Sequence, residues 1–263
     1  MKNIIKTISL LSLVCFSFFY TDKVINMINK KDPLMIKIET IKEKYEVKPV
    51  NAVLNEDTIV PGISGKEIDV LKSYEEMKSS GIFREELLVY KSLYPSSLLS
   101  SNKDKYIIKG NNDKNKVALL LILNVKDIEK ITNNNLTLFL NHKDINIENI
   151  NKLKTNEIYT YGNNGIYTKE SLTSDNSIIN RISNNTSKYC LSKEKNKSLL
   201  EVCSQNNMYT ILPNIIGDYE DIKKEITNGS IILLNNPNNL NIIIKYINSK
   251  GYQITPLSNL LKE

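Results

Sequence analysis

Residues 229–261 read GSIILLNNPNNLNIIIKYINSKGYQITPLSNLL. The run SIILL (230–234) is short and unbrokenly apolar, the pattern of a strand covered on both faces, and LNIIIKYINSK (240–250) spaces its apolar residues as a helix does. A second, smaller cycle follows in YQIT (252–255) and LSNLL (257–261). The same alternation extends backward through the chain. VALLLIL (117–123) precedes KDIEKI, LTLFL (136–140) precedes DINIENINKL, and EIYTY (157–161) precedes a helical pattern over 169–183. KYCL (188–191) is followed by KSLLEVCSQ, and MYTIL (208–212) by DYEDIKKEI. Seven strand–helix repeats predict an α/β fold, either an open parallel sheet or a small, imperfect barrel. No glycine fingerprint follows any strand, so a dinucleotide-binding fold lacks its usual mark.

The whole chain has 263 residues, room for one barrel-sized domain and a small lead-in. Lys2 and Lys6 before the apolar stretch Ile8–Tyr20 have the layout of a secretory n-region and h-region, and no small-x-small site follows. Residues 1–22 are therefore read as an uncleaved anchor in the cell membrane, with cleavage and secretion as the alternative; the bulk is expected on the extracytoplasmic side. Residues 23–47 read as a stalk, part helical, and 48–104 as a lead-in subdomain with a helix over 69–80. Residues 105–263 form the main domain.

Charge and histidine content bound the chemistry. There are 35 Lys+Arg against 29 Asp+Glu, a net +6, but the lysines are interspersed with acids along the whole chain. Nucleic acid is a poor partner for that pattern, and a wall or lipid surface a fair one. A single histidine excludes any multi-histidine metal centre. In either α/β architecture the ligand site lies beyond the C-terminal strand ends. Those positions are Leu123-Asn124, Asn141-His142, Tyr161-Gly162, Leu191-Ser192, Pro213-Asn214 and Asn235-Asn236. They supply amides and a phenol that suit a sugar, with Asn124, Asn141 and Asn214 as the expected glycan-contact rim, and no carboxylate for general-base work.

GSIILLNNPNNLNIIIKYINSKGYQITPLSNLL resembles the closing unit of the polysaccharide deacetylases, the NodB-homology family of carbohydrate esterases, where the text runs Gly-Ser-Ile-x-Leu-x-His, helix, Lys-Gly-Tyr, Leu-Ser-x-Leu. KVALLLIL, LTLFLN, NEIYTYG and KYCLSKEKN resemble four earlier motifs, so the likeness covers about residues 105–262. Residues 48–95 also resemble a segment found ahead of such domains in Gram-positive spore formers. The resemblance implies a distorted (β/α)7 barrel and, in active members, a divalent metal held by one Asp and two His, with an Asp base and a His acid. Here the paired Asp positions fall on Ile122 and Leu123, and the metal-binding histidines on Tyr161 and Gly165. The Arg-Pro-Pro-Tyr-Gly positions begin at Tyr189, and the late His falls on Asn235. A metal needs anionic or imidazole ligands, so no metal and no cofactor is expected. The chain reads as a non-catalytic relative that binds cell-wall glycan or a wall protein. The alternatives are an active glycan deacetylase with an unusual site and a structural module of wall or spore assembly.

His142 matches none of the family's histidines and reads as a solvent-exposed turn residue. Asp218 and Asp221 read as helix-capping groups. In an exported chain Cys190 and Cys203 suit a structural disulfide; burial as two free thiols is the alternative, and a catalytic thiol lacks a histidine to activate it. Cys15 lies in the anchor stretch.

Overall fold

The structure, a computed structural model, describes residue 8 and residues 11–20, 31–112, 115–183 and 186–263. In chain order its elements begin with α1 (Pro33–Tyr45), β1 (Val53–Leu54), β2 (Thr58–Val60), β3 (Gly65–Ile68), α2 (Val70–Lys78), β4 (Tyr90–Leu93) and β5 (Tyr106–Ile107). Then come β6 (Lys116–Leu123), α3 (Val125–Ile128), β7 (Thr137–Leu140), α4 (Ile147–Leu153), β8 (Glu157–Thr160) and α5 (Lys169–Ser183). The chain closes with β9 (Tyr189–Leu191), α6 (Lys197–Gln205), β10 (Tyr209–Ile211), β11 (Ile215–Gly217), α7 (Tyr219–Glu225), β12 (Ile231–Leu234), α8 (Leu240–Ser249), β13 (Gln253–Ile254) and α9 (Leu257–Leu260).

Contacts divide the chain into two compact units, one of residues 1–49 and 64–94 and one of 50–63 and 95–263. The stretch 48–104 is thus shared between them. In the smaller unit α1 starts at Pro33 behind Asp32, whose carboxylate accepts the Leu34 N–H and the Tyr74 hydroxyl. Leu34, Met35 and Ile38 of α1 pack on Ile68, Tyr74, Met77 and Leu88. Residues 33–45, expected in a stalk, are therefore part of a packed core.

The larger unit is organised on β6. Its sheet runs β11-β12-β6-β7-β8, all parallel, with β13 beside the start of β6. Alternate residues of β6 face opposite ways. Val117, Leu119, Leu121 and Leu123 join the apolar layer shared with Ile150, Ile179, Ile222, Ile243 and Ile247 of the helices. Ala118, Leu120 and Ile122 join the inner cluster with Phe139, Tyr159, Leu191, Ile211 and Leu233. That inner cluster draws on both sheets, as a filled barrel does.

Backbone pairing does not join the strands of this unit into one sheet. A second sheet, β1-β2-β5-β10-β9, carries the other wall. Only Leu212, Pro213 and Asn214 separate β10 from β11, so one bent strand leaves the second sheet and enters the first. On the other side, β8 and β9 are joined by side chains. The Tyr167 hydroxyl accepts the Leu191 N–H at 3.0 Å and donates toward the Thr160 carbonyl at 3.3 Å. Below it the rings of Phe139, Tyr159, Tyr189 and Tyr209 stand in series, with centroids 5.7, 5.2 and 5.9 Å apart. Each such contact contributes about 0.5–1.5 kcal/mol beyond its buried area. Burial pushes the phenols of Tyr159, Tyr167 and Tyr189 well above the usual range, so all three stay neutral hydrogen-bonding groups. The expected α/β alternation on parallel strands is thus present, with β11 as an extra segment and a side-chain seam between β8 and β9 where a ladder would run.

The described residues cover only part of the expected anchor. Residues 11–20 are helical, and among the described residues no helix is long and apolar enough to cross a membrane. The rest of the expected anchor, 1–7, 9–10 and 21–22, and residues 23–30 of the expected stalk, lie outside the described residues.

Candidate ligand site at the strand ends

The C-terminal ends of β6, β7, β8, β11 and β12, parallel neighbours in one sheet, lie along one edge, called the mouth below. Its floor is apolar. Ile122 ends the inward-facing row of β6 and is partly exposed. Ile216 pairs with Leu233 of that inner row and is also partly open. Tyr161, half-buried, packs on the same cluster, and burial raises its phenol pKa. Asn235 is exposed at the edge, its N–H bonded to the Gly217 carbonyl at 3.1 Å, and exposed Asn124 precedes α3.

The β8–α5 loop is wound tightly. Gly162, Asn164 and Gly165 all adopt left-handed backbone angles, at φ 61°, 53° and 87°. A side chain at Gly165 would begin 3.0 Å from the Tyr161 hydroxyl, in a backbone conformation that L-residues rarely hold. An imidazole ligand cannot be placed there without rebuilding the loop.

Several residues expected at the mouth lie elsewhere. Leu123 points into the helix layer and is fully buried, because β6 continues its alternation to its last residue. Asn141 is 4% exposed and its side-chain oxygen accepts the Asn164 N–H, so it ties two loops together rather than facing a ligand. Asn214 sits at the bend between β10 and β11 and accepts the Ile231 N–H at 2.8 Å, at the start of β12 and away from the mouth. The true strand end there is Gly217-Asp218, and Asp218 with Asp221 forms a capping box on α7. Tyr189 begins its strand instead of ending it. It lines a cleft of about 610 Å3 at the N-terminal strand ends, with Lys103, Lys188, Asn207 and Tyr209.

Cys190 and Cys203 are joined in a disulfide that closes a separation of 13 residues between β9 and α6. In the chain-entropy account such a short loop is worth about 3 kcal/mol. Both cysteines are buried with Tyr167, Leu172 and Met208.

The feature that sequence reading missed is the environment of His142. Its Nδ1 lies 2.6 Å from Asp175 Oδ1 on α5, and the other oxygen of Asp175 accepts the Thr160 hydroxyl at 2.6 Å. A signal was available: Leu172, Asp175 and Ile179 lie on one buried stripe of α5, so a carboxylate stands at a core position and requires partners.

The set of donors does not fit the metal that the resemblance implies for active members. Ile122, Tyr161, Gly165 and Asn235 offer no anionic or imidazole ligand. Among the described residues no group of three or more His, Cys, Asp or Glu is placed to hold an ion.

No protein-family model matches the sequence. Among solved structures, BA3943, a CE4 family pseudoenzyme from Bacillus anthracis, aligns with a TM-score of 0.61 and 21% identity over 89% of this chain and 96% of that one. The fold is that of this CE4 pseudoenzyme. A BA3943 mutant described as having restored enzymatic activity aligns with the same TM-score at 20% identity, over 88% of this chain and 98% of that one. The CE4 pseudoenzyme fold agrees with the deacetylase resemblance read from residues 105–262. Among curated proteins, the uncharacterized protein YlxY of Bacillus subtilis is 41% identical over 92 residues, 35% of this chain and 29% of that protein, so the match spans under a third of that relative.

Proposed function

We propose that this chain is a non-catalytic, extracytoplasmic protein of deacetylase fold that binds cell-wall glycan at the strand-end mouth. The observation that carries the reading is the apolar floor. Where the fold's hydrolytic chemistry would require a metal ligand and a base, Ile122 and Tyr161 stand, with Asn235 at the edge. Losing one acid or base alone costs about two to four orders of magnitude, and nothing on this floor polarises a water or a carbonyl. Aliphatic and phenolic surface beside amides can still receive a sugar, whose ring offers C–H faces and hydroxyls.

The 263-residue chain, incubated with purified peptidoglycan, is expected to sediment with it and to release no acetate from an N-acetylglucosamine oligomer. Elemental analysis of the purified protein is expected to show no stoichiometric divalent metal. Failure of a folded chain to sediment would overturn glycan binding, and chelator-sensitive acetate release would restore the enzymatic alternative. Truncation at residue 48 is a poor choice for this test, because it removes α1 from the core of the smaller unit.

A further inference from the structure

The imidazole of His142 is gripped from behind and open in front. Asp175 is 1% exposed, whereas 52% of the His142 side chain is accessible. Both Asp175 oxygens are engaged, one by His142 Nδ1 and the other by the Thr160 hydroxyl, which itself accepts the Gly162 N–H at 2.9 Å. The His142 backbone N–H is bonded to the Gly162 carbonyl at 2.7 Å. The ring therefore has a fixed orientation. A carboxylate accepts hydrogen bonds, so the Nδ1–H side of the ring faces Asp175 and Nε2 is the ring nitrogen left toward solvent. Among the described residues Nε2 has no hydrogen-bond partner.

We propose that His142 Nε2 is a ligand-anchoring atom on the rim of the mouth, that its ligand is a hydroxyl of a neutral glycan, and that Asp175 is its positioning residue. The proposal rests on the glycan reading above and names a contact within it. Charge selects the ligand class. The buried carboxylate of Asp175 directly behind the ring disfavours an anionic ligand at Nε2. A hydroxyl both donates and accepts, so it is a suitable partner for a ring nitrogen. The adjoining loop supplies the rest of a sugar site: the exposed amides of Asn163 and Asn164, and Ile166, which is 67% exposed and presents apolar surface to a sugar's C–H face.

The chain has one histidine, so its imidazole signals in 1H–15N spectra are assigned without ambiguity. In the free chain the spectrum is expected to report the Nδ1–H tautomer. Titration with an N-acetylglucosamine tetramer should then move the Nε2 and Cε1–H signals saturably. His142→Ala should weaken tetramer binding about tenfold, the size of one lost hydrogen bond in a binding site. Asp175→Asn should lose the tautomer bias and weaken binding, with the thermal midpoint recorded to separate a loosened ring from a loosened fold. His142→Gln, at a half-exposed position, supplies a folded control if His142→Ala is unstable, and it too should bind more weakly. Saturable tetramer binding that leaves the imidazole signals fixed, or is unchanged in both His142 variants, would overturn the inference and leave the glycan reading standing. A folded chain that binds neither the tetramer nor peptidoglycan would overturn both.

Discussion

Ile122 and His142 lie at the ends of adjacent parallel strands, β6 and β7, yet one closes an aliphatic row and the other leans on a buried carboxylate. The difference follows from where each side chain points. Ile122 faces the barrel interior, where inward rows from both sheets meet and a charge would be surrounded by Leu120, Phe139 and Leu233. His142 lies outside that interior, over Thr160 and α5, where Asp175 is satisfied by two hydrogen bonds at 2.6 Å. Polarity is tolerated in this protein where hydrogen-bond partners converge on it. Without a metal to neutralise a carboxylate, the interior end of β6 favours aliphatic packing.

Four substitutions test this contrast, all read as shifts in the urea midpoint of the 263-residue chain. The largest effect is expected from Asp175→Ala, about 3 kcal/mol, because it leaves the fully buried Thr160 hydroxyl without its acceptor and His142 Nδ1 without its partner. A cost under 1 kcal/mol would mean that the rim network is incidental. Ile122→Asp should cost about 2 kcal/mol by placing a carboxylate against the inner cluster, and should bring no tight divalent-metal binding by calorimetry. Tight binding there would show that the floor is one residue away from a metal site and would break the contrast. Tyr167→Phe should cost about 1–2 kcal/mol, since the Leu191 N–H loses its acceptor in the seam between β8 and β9. Asn235→Ala, at an exposed edge, should change stability by less than about 0.5 kcal/mol while weakening retention on peptidoglycan.

The fold was legible where burial on two faces leaves no choice of residue. SIILL and VALLLIL could be read as central strands because both their faces pack, and β6 and β12 are indeed neighbours at the centre of the sheet. β11 was missed because its three residues follow β10 after a Pro-containing bend, and the sequence there reads as one strand and a loop. That error moved the expected strand end to Asn214, which is a bend residue, and away from Gly217. KDIEKI carries helical spacing but forms only the single turn Val125–Ile128.

The sequence by itself determined the α/β alternation, the shortage of metal ligands and the cysteines available for a disulfide. These are properties of residue type and local spacing, and no folding is needed to count them. Only the tertiary structure decided that Cys190 and Cys203 meet, that Tyr167 joins two sheets, and that His142 has a carboxylate behind it. Each of these joins residues 13, 24 and 33 positions apart through the packing of different elements. Such a contact depends on which strand lies beside which helix, and local periodicity carries no record of that.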